Sequence, residues 1–271
     1  MTTPIVQIEG DIDIDIDIDN IDDLNPFTMI LPQDIQENDT NHATPQHQQQ
    51  QLYFLQSINS NIIIRQLPSQ GLSFQLWPAA TILVTLLDNN NRNGSTPFSN
   101  LFKRQENGVS LPLRILELGS GTGVVGIAAA AILGAKVIVT DLPHVLPNIQ
   151  FNVDGNSKVL EQQNGVVDVA ALSWGESKDM ETVGRDYDLI FGSDVVYHDH
   201  LYDPLIKTLR FFLLGGGKKI AFVMAHLRRW KKESVFFKRA KKLFDVKIIH
   251  TEPPSNGSRI GVVVYLFTGK R

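Results

Sequence analysis

The fold is decided by one glycine-rich stretch, Leu113-Arg-Ile-Leu-Glu-Leu-Gly-Ser-Gly-Thr-Gly-Val-Val-Gly126. Its first part predicts a buried strand over Leu113–Leu118, and the alanine-rich residues after it predict a helix over Gly123–Leu133. Glycines are needed where backbone turns tightly and approaches a ligand without a Cβ in the way. The stretch therefore predicts a strand, a ligand-binding turn and a helix in that order.

The glycine spacing by itself fits two kinds of ligand. Gly121, Gly123 and Gly126 form a G-x-G-x-x-G pattern, and Asp141 follows Gly121 by 20 residues, as in dinucleotide-binding sites. Glu117, however, lies two residues before the first glycine, where its carboxylate opposes a pyrophosphate at the helix N-terminus. S-adenosylmethionine carries a sulfonium and an ammonium but no phosphate, so Glu117 favours that cofactor.

Outward from this turn, predicted strands and helices alternate to the last residues. Strands are predicted over 113–118, 136–140, 166–172, 187–191, 219–224, 245–250 and 261–267, and helices over 123–133, 143–153, 202–214 and 229–242. The last two strands are joined by only Glu252–Ser258, which predicts an antiparallel hairpin. The expected fold is α/β: a Rossmann-like, seven-stranded, mostly parallel sheet with helices on both faces and a reversed last strand.

Charge and complexity divide the chain into three parts. Residues 1–64 contain 11 of the 29 acidic residues and none of the 25 basic ones, and residues 1–51 are rich in Asp and Gln. We predict a disordered tail over 1–51, an N-terminal extension over 52–111 and a seven-strand, S-adenosylmethionine-binding domain over 112–271. The extension includes a predicted helix over 79–87, preceded by Leu76-Trp77-Pro78, that is expected to contact the cofactor.

Composition narrows the classes of function. The chain has no cysteine, which excludes disulfide scaffolds, Cys-ligated zinc, Fe–S clusters and thiol nucleophiles. The longest apolar stretch, Val124–Ala135, is shorter than the ~18 residues of a membrane span. No basic residue precedes Arg65, so neither a secretory signal nor a transit peptide is predicted. A cytoplasmic monomer is expected, with nuclear access as a second option.

Four segments carry a resemblance to a known family. Ile115–Gly123 and the strand order resemble the class I S-adenosylmethionine-dependent methyltransferases. Leu76-Trp-Pro-Ala-Ala80, Leu172-Ser-Trp-Gly175 and Ser193-Asp-Val-Val-Tyr197 resemble the methyltransferase-like 21 group of the family-16 protein-lysine methyltransferases. The resemblance extends from about Ser69 to the C-terminus. It implies methylation of a lysine ε-amine in a protein such as a chaperone, an elongation factor or an AAA ATPase.

The resemblance also implies roles for individual residues. Trp174 would lie against the adenine, Asp141 would bind the ribose hydroxyls, and Trp77 would line the methionine end of the pocket. Asp194 and Tyr197 would form the catalytic, substrate-side motif and orient the amine. The predicted cofactor-binding residues are Trp77, Glu117, Gly119, Ser120, Gly121, Gly123, Asp141, Trp174 and Ser193.

Structural roles compete with these assignments. Trp77 and Trp174 also fit core positions, Asp141 fits a helix cap before Leu142-Pro143, and Asp194 fits a loop cap. His198-Asp-His200 places two histidines two residues apart, as metal-binding segments do. The sequence offers no other matched ligands, so no metal is predicted. These alternatives predict packing or capping where the resemblance predicts ligand contact.

Other functions remain open at this point. An RNA or small-molecule methyltransferase shares the fold, although the Asn/Asp-Pro-Pro-aromatic motif of amine-modifying nucleic-acid enzymes is absent at Ser193–Tyr197. An NAD-dependent oxidoreductase is disfavoured by Glu117, and a non-catalytic binding protein by the intact glycines. The basic segment Arg228–Lys242 predicts either a solvated helix face, with Trp230 on the buried side, or a docking face for an acidic partner; nucleic acid is disfavoured.

Overall fold

The computed structural model describes residues 49–93, 98, 101–102, 105–106, 109–229, 231–254 and 261–270. In chain order its helices and strands are β1 (Gln49–Leu55), β2 (Ser60–Gln66), α1 (Pro78–Asn93), β3 (Gln105–Glu106), β4 (Val109–Ser110), β5 (Arg114–Leu118), α2 (Val124–Leu133), β6 (Lys136–Asp141), α3 (Leu146–Gly155), α4 (Ser157–Gln162), β7 (Val166–Ala171), α5 (Ser177–Val183), β8 (Leu189–Ser193), α6 (Tyr202–Leu214), β9 (Ala221–Leu227), α7 (Ser234–Leu243), β10 (Phe244–Glu252) and β11 (Val262–Gly269).

Seven of these strands form one sheet in the order β10-β11-β9-β8-β5-β6-β7. The five strands from β9 to β7 run parallel. Strand β11 lies between β9 and β10 and is antiparallel to both. The predicted fold class and its reversed last strand are therefore confirmed. Strand order reverses at β5, so the carboxyl ends of β5 and β8 border the crevice in which ligands of open α/β sheets bind.

Hydrophobic residues pack on both faces of the sheet. On one face, Ile115 and Val223 belong to a core shared with α1 and α2. On the other, Leu116 and Phe222 belong to a core shared with α6 and α7. Adjacent residues of β5 thus point to opposite cores, as period-two side-chain alternation requires. Burial on both faces explains why the central strands read as continuous apolar runs.

A hairpin of β1 and β2 precedes the sheet and is held by a row of asparagines on α3 and directly after it. Asn156 accepts the N–H of Ile63 (2.8 Å) and donates to its carbonyl (2.8 Å). Asn152 does the same for Arg65, at 2.8 and 3.1 Å, and also donates to Thr122 O at 2.9 Å. The amides satisfy backbone groups that an edge strand leaves unpaired. They also tie the hairpin to the glycine turn.

The structure corrects several predicted boundaries. Gln49–Gln51, predicted to be disordered, lie in β1, because β2 supplies a complete set of ladder partners. Helix α1 continues to Asn93 instead of ending at Leu87. The basic helix begins at Ser234 instead of Arg229, because Lys231–Glu233 forms a separate 3-10 turn and the Glu233 side chain accepts the Arg229 N–H. Residues 1–48 of the predicted tail, and Trp230, lie outside the described residues.

Among the described residues, every helix is too short or too polar to cross a membrane.

Candidate cofactor and acceptor site

The turn after β5 has a backbone that only glycine adopts without strain. Gly119, Gly121 and Gly123 have φ values of +63°, +57° and +80°. A Cβ on Gly119 would lie 2.8 Å from Cζ2 of Trp174, and one on Gly121 would lie 3.2 Å from the carbonyl oxygen of Ser73. The indole and the Ser73 backbone thus approach the turn closely. Glycine is needed at these positions so that Trp174 and the Ser73 backbone can pack against the turn.

Glu117 lies behind this turn and is completely buried. Its Oε2 accepts the N–H of Gly126 at 2.9 Å, in the first turn of α2. Burial raises the pKa of Glu117 to about 8, because the opposing hydrogen bonds only partly offset the loss of hydration. A carboxyl group thus occupies a donor that a phosphate at this helix N-terminus would use. The geometry disfavours a pyrophosphate. Direct contact between Glu117 and a cofactor stays a prediction.

Asp141 ends β6 and fixes the turn from the side. Its Oδ2 accepts the N–H of Gly121 at 2.8 Å, and its Oδ1 accepts the N–H of Leu142 at 2.8 Å. Burial raises the pKa of this carboxyl, while the two backbone donors oppose the rise. Ser120 adds a further link, since its Oγ accepts the Thr140 N–H at 3.0 Å. Asp141 therefore holds Gly121 in place, and its predicted contact with ribose hydroxyls stays a prediction.

Two indoles lie near the crevice, and they come from distant segments of the chain. Trp174 follows β7 and is partly buried over Gly119. Trp77 precedes α1, is partly buried, and donates its Nε1–H to Leu72 O at 3.0 Å. A pure core role would favour complete burial, but both indoles are only partly buried. Each therefore keeps exposed surface that a ligand can cover.

The acceptor side begins at the end of β8. Ser193 is the last residue of the strand and is partly exposed. Asp194 follows with φ +54° and is 8% exposed. Its carboxylate accepts the Leu227 N–H at 2.9 Å and the two guanidinium nitrogens of Arg229 at 3.0 and 3.3 Å. The carboxylate predicted to orient an acceptor amine already has three donors in the protein. Its contact with an amine stays a prediction.

Tyr197 lies beside this motif and is partly buried. Burial, followed by the negative charge of Asp141, raises the pKa of its hydroxyl above the usual value. The hydroxyl therefore stays protonated near neutral pH and can both donate and accept a hydrogen bond. The rings of Tyr197 and His198 lie 4.9 Å apart, and those of His198 and His200 lie 5.4 Å apart. Within the described ranges, no group of three or more potential ligands gathers as a metal site would require.

Three residues near Asp194 were missed by sequence reasoning. Arg229 was assigned to a basic helix face, and neither His226 nor Glu233 was given a role. His226 is completely buried, with its Nε2 3.0 Å from Glu233 Oε2. A polar residue interrupting the apolar strand Ala221–Leu227 is the one signal that could have identified His226.

These features fit an adenosyl cofactor. The turn has the positive φ values of a glycine-rich binding turn, an acidic side chain ends the next strand, and an indole lies over the first glycine. The residues that would hold the cofactor are therefore present at one edge of the sheet. The remaining predicted contact residues, Ser120, Gly123 and Ser193, lie on the same turn or at the adjacent strand end.

Comparisons with known proteins match this arrangement. A family model described as lysine methyltransferase matches residues 56–243. The chain is 41% identical over 116 residues to EEF1A lysine methyltransferase 3 of Xenopus tropicalis, covering 43% of this chain and 48% of that protein. It is 30% identical over 184 residues to the protein-lysine methyltransferase METTL21E of Mus musculus, covering 67% of each.

A solved structure gives the same fold. The T. thermophilus 16S rRNA methyltransferase RsmC, in complex with AdoMet and guanosine, superposes with a TM-score of 0.50 at 17% identity, over 85% of this chain and 53% of that one. At this identity the likeness concerns the fold alone. The chain spans about half the length of the Xenopus relative that it matches.

Proposed function

Because this chain belongs to the lysine methyltransferase family, which uses S-adenosylmethionine and whose model it matches over residues 56–243, we propose that it methylates a lysine ε-amine of a protein substrate. One observation carries the proposal: every predicted site residue, from Trp77 to Tyr197, falls within the matched range, and those from Glu117 onward lie on or shortly after β5, β6, β7 and β8. Fold likeness alone would not distinguish protein from RNA substrates.

The chemistry divides between cofactor and protein. When bound, S-adenosylmethionine supplies a methyl group on a sulfonium, which is a good leaving group for in-line displacement. The protein's residues hold the two partners, and such positioning is worth on the order of 7–11 kcal/mol in favourable cases. Asp141 and Glu117 fix the glycine turn and the start of α2, and Trp174 packs against the first glycine of the turn.

The acceptor amine must lose its proton before it can attack. A free lysine has a pKa of about 10.4, and an apolar crevice lowers it by disfavouring the ammonium. The Tyr197 hydroxyl, kept protonated by burial, offers lone pairs that accept an N–H of the neutral amine and leave the nitrogen lone pair free. Bulk water at the mouth takes the proton. Tyr197 is thus the residue proposed to orient the amine.

The first test uses recombinant EEF1A as the acceptor, since the Xenopus relative carries that protein in its name. Purified enzyme is incubated with tritiated S-adenosylmethionine and EEF1A, and lysine methylation is located by mass spectrometry. We expect labelled EEF1A, at least a tenfold loss with Tyr197→Phe, and unchanged transfer with His200→Ala, an exposed residue of the next loop.

Binding is measured separately from transfer. S-adenosylhomocysteine and NAD are titrated calorimetrically against the wild type and Asp141→Ala. Saturable binding of S-adenosylhomocysteine alone, weakened in the variant, is the expected result. Binding of NAD, or of neither ligand, would contradict the cofactor assignment.

The transfer assay is repeated with total RNA present beside EEF1A. Tritium entering the RNA but no protein would support the RNA alternative.

We further propose that α7 docks an acidic surface of the substrate. The helix buries Phe236 and Ala240 and exposes a basic face, on which Arg239 pairs with Asp203 at 2.6 Å. The exposed lysines of that face are Lys238, Lys241 and Lys242. Complementary charge between protein surfaces accelerates association and weakens with salt.

The docking proposal is tested by charge reversal. Lys238→Glu with Lys241→Glu should raise the KM for EEF1A about tenfold with an unchanged kcat, and the difference should shrink in high salt. The matched control is Lys158→Glu with Lys178→Glu, on the exposed surface of α4 and α5. Equal KM changes in both pairs would show a general charge effect and contradict docking at α7.

A further inference from the structure

Arg229 joins two parts of the site that come from distant segments of the chain. Its guanidinium pairs with Asp194 after β8, and its Cζ lies 5.2 Å from the ring centroid of Trp77, which precedes α1. We propose that Arg229 is a positioning residue that fixes Asp194 and Trp77 relative to each other at the acceptor side of the crevice. The expected effect on methyl transfer rests on the proposed function. The fixed positions of Asp194 and Trp77 rest on these contacts alone.

Arg229 and Asp194 form a bidentate ion pair that is largely buried from solvent. Nη2 lies 3.0 Å from Oδ2, and Nη1 lies 3.3 Å from Oδ1. The Asp194 side chain is 5% exposed and the Arg229 side chain 14% exposed. A planar guanidinium forms such parallel bonds, whereas a lysine ammonium cannot. Because Asp194 also has a left-handed backbone and donates its N–H to Ala225 O at 2.9 Å, its position is fully determined.

A second carboxylate fixes the backbone of Arg229 itself. Glu233, which is buried, accepts the Arg229 N–H through Oε2 at 3.1 Å, and the same oxygen lies 3.0 Å from His226 Nε2. The Nδ1 atom of His226 lies 3.8 Å from Asp194 Oδ1. His226 therefore sits between the two carboxylates. The segment after β9 is held at both ends, so the guanidinium has little freedom to leave Asp194.

The contact with Trp77 extends this rigidity to the N-terminal segment. A guanidinium within about 6 Å of an indole centroid is attracted to the ring face. The other end of the indole donates to Leu72 O at 3.0 Å, so the ring is held from two directions. Trp77 is thereby linked to the strand end that carries Asp194. Without Arg229, the indole loses its partner on the sheet side.

The test compares Arg229→Met and Arg229→Lys with Arg228→Met, an exposed neighbour of the same type. Hydrogen exchange of the backbone amides of residues 72–77 and 194–197 reports positioning without any need for catalysis. We expect exchange at both segments to rise at least tenfold in Arg229→Met, to rise less in Arg229→Lys, and to stay unchanged in Arg228→Met.

Transfer and binding then separate positioning from general damage. With EEF1A as the acceptor and saturating cofactor, kcat should fall at least twentyfold in Arg229→Met, with partial rescue in Arg229→Lys. The dissociation constant of S-adenosylhomocysteine should stay within threefold. A lower melting temperature is expected in either case, because the variant leaves the buried Asp194 carboxylate without its cation. A merely structural residue would lower kcat and cofactor affinity in parallel, and that parallel loss in both variants would overturn the inference.

The outcomes also distinguish this inference from the proposed function. If the wild type methylates no acceptor but exchange rises at both segments in Arg229→Met, the proposed function fails and the positioning role stands. If exchange at residues 72–77 is unchanged in Arg229→Met, the link to Trp77 is wrong, whatever the activity of the wild type.

Discussion

Two carboxyl groups at the ends of neighbouring strands are buried in opposite ways. Glu117, in β5, accepts one backbone N–H and is paired with no cation in the part of the chain that the structure describes, and burial raises its pKa to about 8. Asp194, after β8, is paired with the Arg229 guanidinium. Neutralisation by a proton suffices where the partner is backbone, whereas an ionised group in a buried place needs a counter-charge.

The difference follows the construction of the two regions. The cofactor side is built mainly from a local stretch of chain, Leu113–Asp141, in which strand, turn and helix follow in sequence, with Trp174 added over Gly119. The acceptor side brings together Trp77, Asp194 and Arg229 from three distant segments. Local geometry can be maintained by glycines and backbone bonds, while distant segments need a strong, directional contact to stay together.

The largest expected effect is at the ion pair. Asp194→Ala leaves the Arg229 guanidinium and the Leu227 N–H without their acceptor and places a Cβ-only residue at φ +54°. We expect the free energy of unfolding to fall by about 3–5 kcal/mol, measured by urea denaturation. Asp194→Asn, which tolerates that backbone and keeps one acceptor oxygen, should lose less. Equal losses in the two variants would mean that the charge, which both remove, accounts for the whole effect and that the retained acceptor oxygen contributes nothing.

A smaller loss is expected at Gly126, in the first turn of α2 behind the glycine turn. A Cβ on Gly126 would lie 2.2 Å from Val139 Cγ1 and 2.7 Å from Glu117 Oε2, so α2 must shift away from β5 and β6. Gly126→Ala should destabilise the fold by about 2–3 kcal/mol and weaken S-adenosylhomocysteine binding.

The matched control for this variant is Gly155→Ala, at the end of α3, where nothing lies within 4 Å of the added Cβ. It should be neutral or slightly stabilising. A neutral Gly126→Ala would show that the turn tolerates more movement than the contacts suggest, and would weaken the contrast between the two regions.

The link between hairpin and glycine turn predicts a loss of about 1–3 kcal/mol. Asn152→Ala removes the acceptor of the Arg65 N–H and the donor to Thr122 O. Gln150→Ala, on the exposed side of the same helix, is the control and should change stability by less than about 0.5 kcal/mol. The melting temperatures of both variants test this prediction. Similar melting temperatures would mean that the asparagines contribute little to the stability of the fold.

The smallest change in stability is expected for Glu117→Gln at low pH. The pH dependence of that change reports whether Glu117 is neutral in the folded state. Its pKa is raised from 4.5 to about 8, so the folded state binds the proton more tightly than the unfolded state. Its contribution to stability therefore falls as the pH rises between about 4.5 and 8. Glu117→Gln should change stability by less than about 1 kcal/mol at pH 5 and should stabilise the protein relative to wild type at pH 9.

Melting temperatures of wild type and Glu117→Gln, taken from pH 5 to pH 9, test this sign. The gap between the two curves should widen with pH. Parallel curves would mean that Glu117 is ionised or neutral alike in both states, and the contrast with Asp194 would then disappear.

Much of this architecture was readable because its signals are local. Hydrophobic periodicity located the central strands and helices, and the short connection after Glu252 predicted the antiparallel pair. The hairpin β1–β2 was missed, because glutamines carry no strand pattern and its asparagine partners come almost a hundred residues later. The start of α7 was placed too early, since basic residues continue the helical pattern through Arg229.

The sequence by itself determined the sheet, the glycine turn and the class of cofactor, because β5, the turn and α2 are contiguous and their geometry follows from residue type. Only the tertiary structure decided which charges meet. Arg229 read as one basic residue among several, and Asp194 as a catalytic carboxylate free for a substrate. Folding brings them within 3.0 Å in a dry place, where an ionised carboxylate needs a cation and Arg229 supplies it.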